Sequence, residues 1–399
     1  MKKIELTPLT NQYDGEDIRR RCLIKRINDG ELEYQTELWF EFDKSITPPK
    51  DDDCDSYLLA TFMDAMREGR DIIVHGSVSH GLLSNLIEYQ SVWNKWLPKI
   101  YSISNIIVDS VRHDEIKVSG AICAFSGGVD AAFSVWRHSQ RTCGYRSQKI
   151  NLCAIVHGFD IPLSEISAFE NAKNRGQETL DDINVKLFSI RTNYREISTL
   201  NWEHACGSAL VSALTNFKNI AGTCIVGSSD SYAHLPIPWG SSPITDHLLS
   251  SGEFIVLHDG SSHSRTEKVR DISDWKVAVN NLRVCWEGDL KDENCGICEK
   301  CVRTKLNFLA AGNKIPICFP DHEGDVDVAL ARILKRGQQI DGWQEICDFA
   351  EINKVNGTWV SIIKSAAKKR NSLIRRIFPA GSRRKKIAIK MRYFLANRL

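Results

Sequence analysis

The sequence has no long apolar run, no strong charge of either sign and neither of the two best-known nucleotide-binding motifs. No stretch approaches the apolar length of a membrane span, and the start, Met1–Glu5, lacks the apolar core of a signal peptide. The formal net charge is only +2, so charge alone predicts no class of partner. A Walker A sequence and G-x-G-x-x-G are both absent. We therefore expect a cytoplasmic protein that is neither a Walker-type nor a Rossmann dinucleotide-binding enzyme.

The remaining composition is that of a globular protein with room for two or three domains. Its 399 residues are 42 % hydrophobic and 26 % charged. The thirteen cysteines are an odd number, and most lie in apolar surroundings, where a free thiol behaves as a small hydrophobe. A secreted disulfide framework is therefore not expected. We predict an α+β domain at 1–115, an α/β domain at 116–320 and a helical, basic extension at 321–399.

Residues 1–115 show structural patterns without a catalytic constellation. The alternation in Glu37–Phe42 and the apolar run Ile72–His75 predict two strands. Apolar residues at helical spacing predict one helix around Leu58–Met66 and another around Leu82–Trp93. We expect this domain to shape a substrate site or to form a homodimer.

Strands alternate with helices in residues 116–320, which predicts a doubly wound parallel sheet. The predicted strands are Ala121–Phe125, Asn151–His157, Val185–Ile190, Thr223–Gly227 and Phe254–His258.

Ligands bind beyond the carboxyl ends of the strands in such sheets. His157 and Asp230 stand at or just after two of these ends, and we predict that both contact a nucleotide. Lys268 lies in a predicted helix start at the same rim, where its charge would stabilise departing pyrophosphate. Alternatively, the loop that contains Asp230 and the helix start that contains Lys268 are polar only because they are exposed to solvent.

The most informative stretch is Ser126–Gly127–Gly128–Val129–Asp130, between a predicted buried strand and a predicted helix. Two glycines allow the backbone to approach a phosphate closely, and N–H groups at a helix start bind anions. Ser126 adds a hydroxyl donor, and Asp130 is placed to hold Mg²⁺ against the same phosphates. The plainer alternative is an ordinary glycine turn.

Four cysteines form a second motif, Cys285-x9-Cys295-x2-Cys298-x2-Cys301. Gly296 permits the tight turn that would point two thiolates at one ion. Four thiolates complete the tetrahedral coordination of Zn²⁺, which predicts a structural rather than a catalytic metal site. An iron–sulfur cluster is the alternative occupant.

The glycine motif resembles the PP-loop of the ATP pyrophosphatases, the N-type adenine nucleotide α-hydrolase superfamily. With the cysteine motif roughly 160 residues later, the chain resembles the 7-cyano-7-deazaguanine synthase (QueC-type) family of queuosine biosynthesis over roughly residues 119–312. The resemblance implies a HUP-like α/β fold and an enzyme that binds ATP and Mg²⁺. Two departures stand out, since Ala131 replaces the usual Ser or Thr and no Cys-Arg follows Tyr232.

The resemblance implies an ATP-dependent ligase that adenylates a carboxylate or amide and releases pyrophosphate and AMP. The acceptor would be a small-molecule acid or one bound to a carrier or peptide, and ammonia or an amine would supply nitrogen. One alternative is a PP-loop sulfur transferase acting on tRNA, for which Cys206 or Cys224 would have to react. Another is a non-catalytic nucleotide-binding module, which Ala131 favours.

The C-terminal residues are strongly basic. No acidic residue follows Glu351, and thirteen Lys or Arg lie between Lys364 and Leu399, interleaved with apolar residues. We expect this extension to contact a membrane surface, RNA or an acidic partner. A solvated helical face or a disordered end is the alternative.

Overall fold

The computed structural model describes residues 2–113, 117–285, 287–320, 325–335 and 341–377. They form two compact units. The first comprises Met1–Ser126 and Asp130–Ser262, and the second comprises Gly127–Val129 and His263–Leu399. The strands are β1 (Lys2–Asp14), β2 (Asp17–Asn28), β3 (Glu31–Asp43), β4 (Asp71–Ser79), β5 (Ile106–Arg112), β6 (Ala121–Ala124), β7 (Ile150–His157), β8 (Leu187–Thr192), β9 (Thr223–Gly227) and β10 (Ile255–Asp259).

The helices separate most of the strands in the first unit and make up most of the described residues of the second. They are α1 (Asp55–Glu68), α2 (His80–Trp96), α3 (Val129–Ser139), α4 (Ile166–Asp181), α5 (Tyr194–Ile197), α6 (Trp202–Leu214), α7 (Arg265–Ile272), α8 (Lys276–Asn280), α9 (Glu299–Ala310), α10 (Asp325–Lys335), α11 (Asp341–Ile352) and α12 (Thr358–Ile377). Within the described ranges, no helix is both long enough and apolar enough to cross a membrane.

All ten strands of the described residues belong to one sheet, in the order β10-β9-β6-β7-β8-β3-β2-β1-β4-β5. Six of the nine strand pairings in this part of the chain are parallel. The predicted α/β class is therefore confirmed. Strands β6 to β10 form a wholly parallel block, and β1, β2 and β3 form an antiparallel meander.

The meander continues directly into the parallel block. Phe40, Glu41 and Phe42 of β3 pair antiparallel with Thr192, Arg191 and Ile190 of β8. Strands from 1–115 and from 116–320 therefore share one sheet, and the main division between the compact units falls after Ser262. The three-domain division stays a prediction.

The core of the first unit includes α1 and α6. Twelve residues of α1, from Asp55 to Met66, are buried. Three alanines on α6, Ala205, Ala209 and Ala213, are also buried, and such small side chains permit close approach between elements. One continuous apolar cluster joins residues of both helices to strands from both halves of the sheet.

The second unit has an apolar cluster of its own. It combines Val302 and Leu306 of α9 with Leu330, Trp343 and Ile363 from the three helices that follow. The predicted helix from Glu299 and the helical character after residue 320 are confirmed for the described residues. The basic stretch after residue 377 lies outside them.

Candidate functional site

The loop Ser126–Asp130 lies between a strand and a helix, as its sequence predicts. Strand β6 ends at Ala124 and α3 begins at Val129. Gly127 has a φ of +80°, a left-handed conformation that is costly for residues with a β-carbon. A β-carbon there would meet nothing closer than 3.7 Å. Backbone conformation, rather than crowding, is therefore what requires glycine at this position.

Strand β6 lies at the topological switch point of the parallel block, where the order of the strands reverses. Strands β7 and β8 lie on one side of β6, and β9 and β10 lie on the other. Loops that leave the carboxyl ends of two such strands diverge and leave a crevice in which open α/β sheets bind ligands. Ser126 follows β6, and Ser228 follows β9. These two serines therefore stand at the edge of the sheet where a ligand site is expected.

The end of β9 approaches the first turn of α3 closely. A β-carbon built on Gly227 would lie only 2.8 Å from the carbonyl oxygen of Asp130, which is closer than such atoms pack. Glycine at residue 227 therefore lets β9 and α3 come together. The backbone of Asp130, the predicted Mg²⁺ ligand, thus lies close to the end of β9.

A buried carboxylate holds the body of α3 against the end of β10. The Ser134 hydroxyl donates to Asp259 Oδ2 at 2.8 Å, Arg137 Nη1 lies 3.6 Å from Oδ1, and His138 Nε2 lies 3.4 Å from the same oxygen. Burial alone would raise the pKa of Asp259, but the His138 ring, the Arg137 guanidinium and the Ser134 hydroxyl together hold that pKa below its usual value. The carboxylate is therefore ionised at neutral pH, and its contacts with Ser134 and Arg137 hold α3 against the end of β10.

The polar loop after β9, which contains Asp230, is fastened to the segment after β10. The Ser228 amide donates to the Asp259 carbonyl at 2.7 Å, and the Tyr232 amide donates to the Ser261 carbonyl at 2.7 Å. The Ser228 hydroxyl donates to the Asp230 carbonyl at 2.5 Å. Asp230 is therefore held in an ordered loop, and its contact with a nucleotide stays a prediction.

His157 ends β7 and is buried. Its Nε2–H donates to the Pro162 carbonyl at 2.9 Å, and its ring stacks on Phe169 with centroids 4.1 Å apart. Burial lowers the pKa of His157, so the neutral ring is favoured. These contacts shape the turn after β7, and the predicted nucleotide contact of His157 is not tested by them.

Lys268 lies in the first turns of α7, which begins at Arg265 as predicted. The helix has a capping box, in which the Ser264 hydroxyl accepts from the Glu267 amide at 3.2 Å and Glu267 Oε2 accepts from the Ser264 amide at 2.7 Å. Lys268 is buried and has interaction partners. Lys268 is therefore not a solvent-exposed residue of the helix start, and its catalytic role stays a prediction.

Arg283 is a residue that sequence reasoning missed. Its amide donates to the Gly127 carbonyl at 2.9 Å, and its guanidinium Nη1 donates to the Lys291 carbonyl at 3.3 Å. Arg283 stands two residues before Cys285, so the start of the cysteine segment is bonded to the glycine loop. The one signal in the sequence was this adjacency to the cysteine motif.

The four predicted metal-ligating cysteines converge. Their Sγ atoms all lie within 4.8 Å of one another, with 3.7 Å between Cys285 and Cys298 and 4.0 Å between Cys295 and Cys301. A tetrahedron with Zn–S bonds of about 2.3 Å requires S–S distances of about 3.8 Å. Gly296 has a φ of +77°, the left-handed turn expected inside the motif.

Backbone amides also point at these sulfurs. Donor to Sγ distances are 3.3 Å from Gly288 to Cys285, 3.3 Å from Cys298 to Cys295 and 3.5 Å from Cys301 to Cys298. Amides directed at sulfur stabilise thiolates, the form that binds a metal. The donor set and its spacing therefore fit one tetrahedral metal ion.

A second group of acidic residues, Asp53, Asp55 and Glu253, also lies within coordination range. Lys218 Nζ lies 2.5, 3.0 and 2.8 Å from oxygens of these three carboxylates. Arg112 Nη2 lies 2.6 Å from Asp55 Oδ2. The protein's own cations therefore occupy the place of a metal, and this group is a buried ion network.

Cys206 and Cys224, one of which would have to react in a sulfur transferase, both have raised pKa values. Burial raises the pKa of Cys206 to about 12, and it raises the pKa of Cys224, a fully buried residue of β9, still further. The thiolate is the reactive form. A raised pKa disfavours either thiol as the nucleophile of the sulfur-transfer alternative.

Comparisons with protein-family models, with curated proteins and with solved structures find no match to this chain. The residues and geometry described above are therefore the basis for assigning a function.

Proposed function

We propose that this protein is an ATP-dependent ligase of the PP-loop ATP pyrophosphatase type, with a QueC-like reaction and a HUP-like α/β core. The observation that carries the proposal is the position of the S-G-G-x-D loop. It lies between the buried strand β6 and helix α3, at the topological switch point of the parallel strands. Neither the motif nor the position is specific alone. Their coincidence is what favours nucleotide phosphates as the ligand.

The residues of the loop divide the work of holding the nucleotide. Backbone N–H groups of Gly127, Gly128 and Val129 would bind phosphate oxygens at the start of α3, and the Ser126 hydroxyl would add a donor. Asp130 would hold Mg²⁺, which would neutralise charge on the phosphate oxygens. Lys268 would balance charge on pyrophosphate as it leaves.

The reaction then needs no covalent nucleophile from the protein. An oxygen of the acceptor carboxylate attacks the α-phosphorus of ATP, and pyrophosphate departs. Ammonia or an amine attacks the acyl carbon of the resulting adenylate, and AMP departs. The protein contributes orientation and fixed charge, the two effects that dominate catalysis of such transfers.

The cysteine segment supports the same proposal as a structural part. We propose that Cys285, Cys295, Cys298 and Cys301 hold Zn²⁺, because the four thiols saturate a tetrahedral ion and leave no position for a substrate. The bond from the Arg283 amide to Gly127 couples the start of that segment to the loop. Zinc would thereby stabilise the loop without taking part in the chemistry.

The test is release of AMP and pyrophosphate from Mg-ATP, with and without 7-carboxy-7-deazaguanine and ammonium. We expect AMP only when the acid is present, and a fall of at least about 100-fold in Asp130→Asn, which keeps the shape but loses the charge. Asp181→Asn, an exposed carboxylate on α4, is the matched control and should react like the wild type.

Equilibrium binding of Mg-ATP separates the possible failures. If ATP binds but no AMP forms with this acid, the deazapurine acceptor is wrong, and peptide-bound and carrier-bound acids become the next substrates to assay. If ATP does not bind, the PP-loop assignment itself is wrong.

A further inference from the structure

The sheet of the described residues ends in two edge strands, β10 and β5, and the β10 edge is blocked by side chains. The Val256 amide donates to Ser250 Oγ at 2.8 Å, and Arg146 Nη2 donates to the His258 carbonyl at 3.2 Å. Both backbone groups belong to β10 and are bonded by groups outside the sheet. A further strand that approached β10 would have to displace these bonds, so this edge is poorly suited to pairing.

The β5 edge is open. Strand β5 pairs in parallel with β4 on one side, and no strand of the described ranges lies on its other side. The Ile72 amide of β4 donates to the Asn105 carbonyl, just before β5, at 2.8 Å. Because the direction of backbone groups alternates along a strand, Ile106 and Val108 turn their amides and carbonyls away from β4. Such a row of backbone groups is a template for another strand.

The side chains of β5 do little to keep another strand away. Ile107 is 56 % exposed and Val111 is 40 % exposed. Edge strands of monomeric proteins are commonly protected by charged side chains, and β5 has two, Asp109 and Arg112. The Arg112 guanidinium is turned into the buried ion network, 2.6 Å from Asp55 Oδ2. Asp109 is therefore the one charged side chain of β5 outside that network.

The sequence of β5 is complementary to itself. Two copies related by a two-fold axis pair antiparallel, and an axis through Asp109 lets all seven residues of β5 overlap. Ile107 and Val111 each lie two residues from Asp109, so Ile107 of one copy falls opposite Val111 of the other, twice. Apolar cross-strand pairs stabilise a sheet. The two Asp109 carboxylates face each other at the axis, which weakens the pairing.

We propose that β5 is the interface of a homodimer, in which two copies of this chain pair antiparallel through Ile106–Arg112 and form one continuous sheet. A single pair of strands buries little surface, and two like charges meet at its centre. The dimer is therefore weak and reversible, with dissociation in the micromolar range. This interface is independent of the proposed ligase activity, because no residue of the glycine loop or of the cysteine segment takes part in it.

Sedimentation velocity of the full-length protein, from about 1 to about 200 µM, tests the dimer. Ile107→Lys and Val111→Glu each place a charge opposite an apolar residue, so each should weaken association by at least about tenfold. The double variant sets the new lysine opposite the partner's new glutamate in both cross-strand pairs. It should recover most of the lost affinity.

Two further variants check the position and the register of the interface. Ile166→Lys, at an exposed isoleucine of α4, is the matched control and should associate like the wild type. Asp109→Asn removes the opposed charges and should tighten the dimer. Thermal unfolding of each variant at low concentration, where the monomer dominates, should match that of the wild type because the substituted side chains are exposed.

Three results would overturn the proposal. A wild type that stays monomeric at every concentration would mean that β5 does not pair with a second copy, whatever other protein it might bind. A dimer that survives both single variants unchanged would place the interface elsewhere. A double variant that associates no better than the single variants would contradict the antiparallel register centred on Asp109. None of these results depends on whether the protein binds ATP.

Discussion

Asp64 is a buried carboxylate with a raised pKa. It lies on α1, is 5 % exposed, and accepts hydrogen bonds from the Ser198 hydroxyl at 3.2 and 3.3 Å. Burial raises its pKa to about 7, against a smaller opposing effect from Arg26. The folded protein therefore prefers the protonated acid, whereas the unfolded chain ionises near pH 4. Stability must fall as pH rises from about 4 to about 7.

This sign makes Asp64→Asn a stabilising change at high pH. We expect a gain of about 1–3 kcal/mol in unfolding free energy at pH 8 and little difference at pH 4, because the amide keeps an acceptor for Ser198 without a charge. Thermal unfolding at both pH values measures it. The exposed Asp181→Asn should show no such pH-dependent gain, and an equal effect of Asp64→Asn at both pH values would contradict the raised pKa.

At the level of residues, the sequence predicted what is local. The position of the turn Ser126–Asp130 between a strand and a helix could be predicted, because the conformation of a glycine turn before a helix depends on adjacent residues. Arg283 could not, because its bond to Gly127 joins residues far apart in the chain. The same holds for the bond between His258 and Asp246, which lie in separate elements of the chain. No short-range pattern marks such contacts.

The cysteine segment is an element whose fold should depend on a metal. We expect the purified protein to contain one zinc per chain, and Cys295→Ser to lose it and to unfold at lower temperature. Metal analysis and thermal unfolding are the measurements. Cobalt substitution should give the visible absorption of a tetrahedral four-sulfur site.

Cys318→Ser is the matched control for the cysteine variants. Its thiol contacts the Val279 carbonyl at 3.2 Å and lies outside the four-cysteine group. The control should retain metal. Iron and inorganic sulfide in place of zinc would contradict the assignment of the ion but not the ligand set.

Three residues of helix α3 interact with one buried carboxylate, that of Asp259 at the end of β10. Asp259→Asn removes the charge that Arg137 faces and weakens the acceptor of Ser134, so we expect a loss of about 1–3 kcal/mol at pH 7 by urea unfolding. Because the pKa of Asp259 is held below its usual value, that stability is present above about pH 4 and is lost as pH falls further. The difference between variant and wild type should therefore shrink below pH 4. A difference that persists there would contradict this account, and the exposed Asp109→Asn should show no loss.

Elements with a clear apolar pattern were predicted well. Strand β9 has the predicted bounds, and β7 begins one residue before its prediction. Strands β1, β2 and β5 were not predicted. In β2, the sequence DIRRRCLIKRIN places arginines beside every apolar residue of its first half. The buried face of β2 comprises Ile18, Arg20, Cys22 and Ile24. The alternation is hidden in the sequence because Arg20, a charged residue, belongs to that buried face.

An ion network around Lys218 links segments of the first unit that lie far apart in the chain. This lysine is buried and joins Asp53 and Asp55, near the start of α1, to Glu253, just before β10. Lys218→Met would leave the three carboxylates with Arg112 as the remaining cation in ion-pair range within the described part of the chain. We expect a loss of about 3–5 kcal/mol in unfolding free energy, measured in urea.

A second change should partly repair the first. Burial and the nearby Asp55 raise the pKa of Asp53, so Asp53→Asn removes a charge that the site already disfavours. The double variant should recover at least about 1 kcal/mol relative to Lys218→Met. The exposed Lys149→Met should cost nothing measurable, and an equally small cost at Lys218 would show that the network does not stabilise the fold.

The antiparallel pairing of β3 with β8 joins two strands that are synthesised at different times. β8 begins roughly 140 residues after β3 ends, so during synthesis the outer edge of β3 waits about 10–30 s for its partner. A bare strand edge recruits strands from other chains. Pairing of Phe40–Phe42 with Ile190–Thr192 can cover this edge of β3 only after synthesis has passed residue 192.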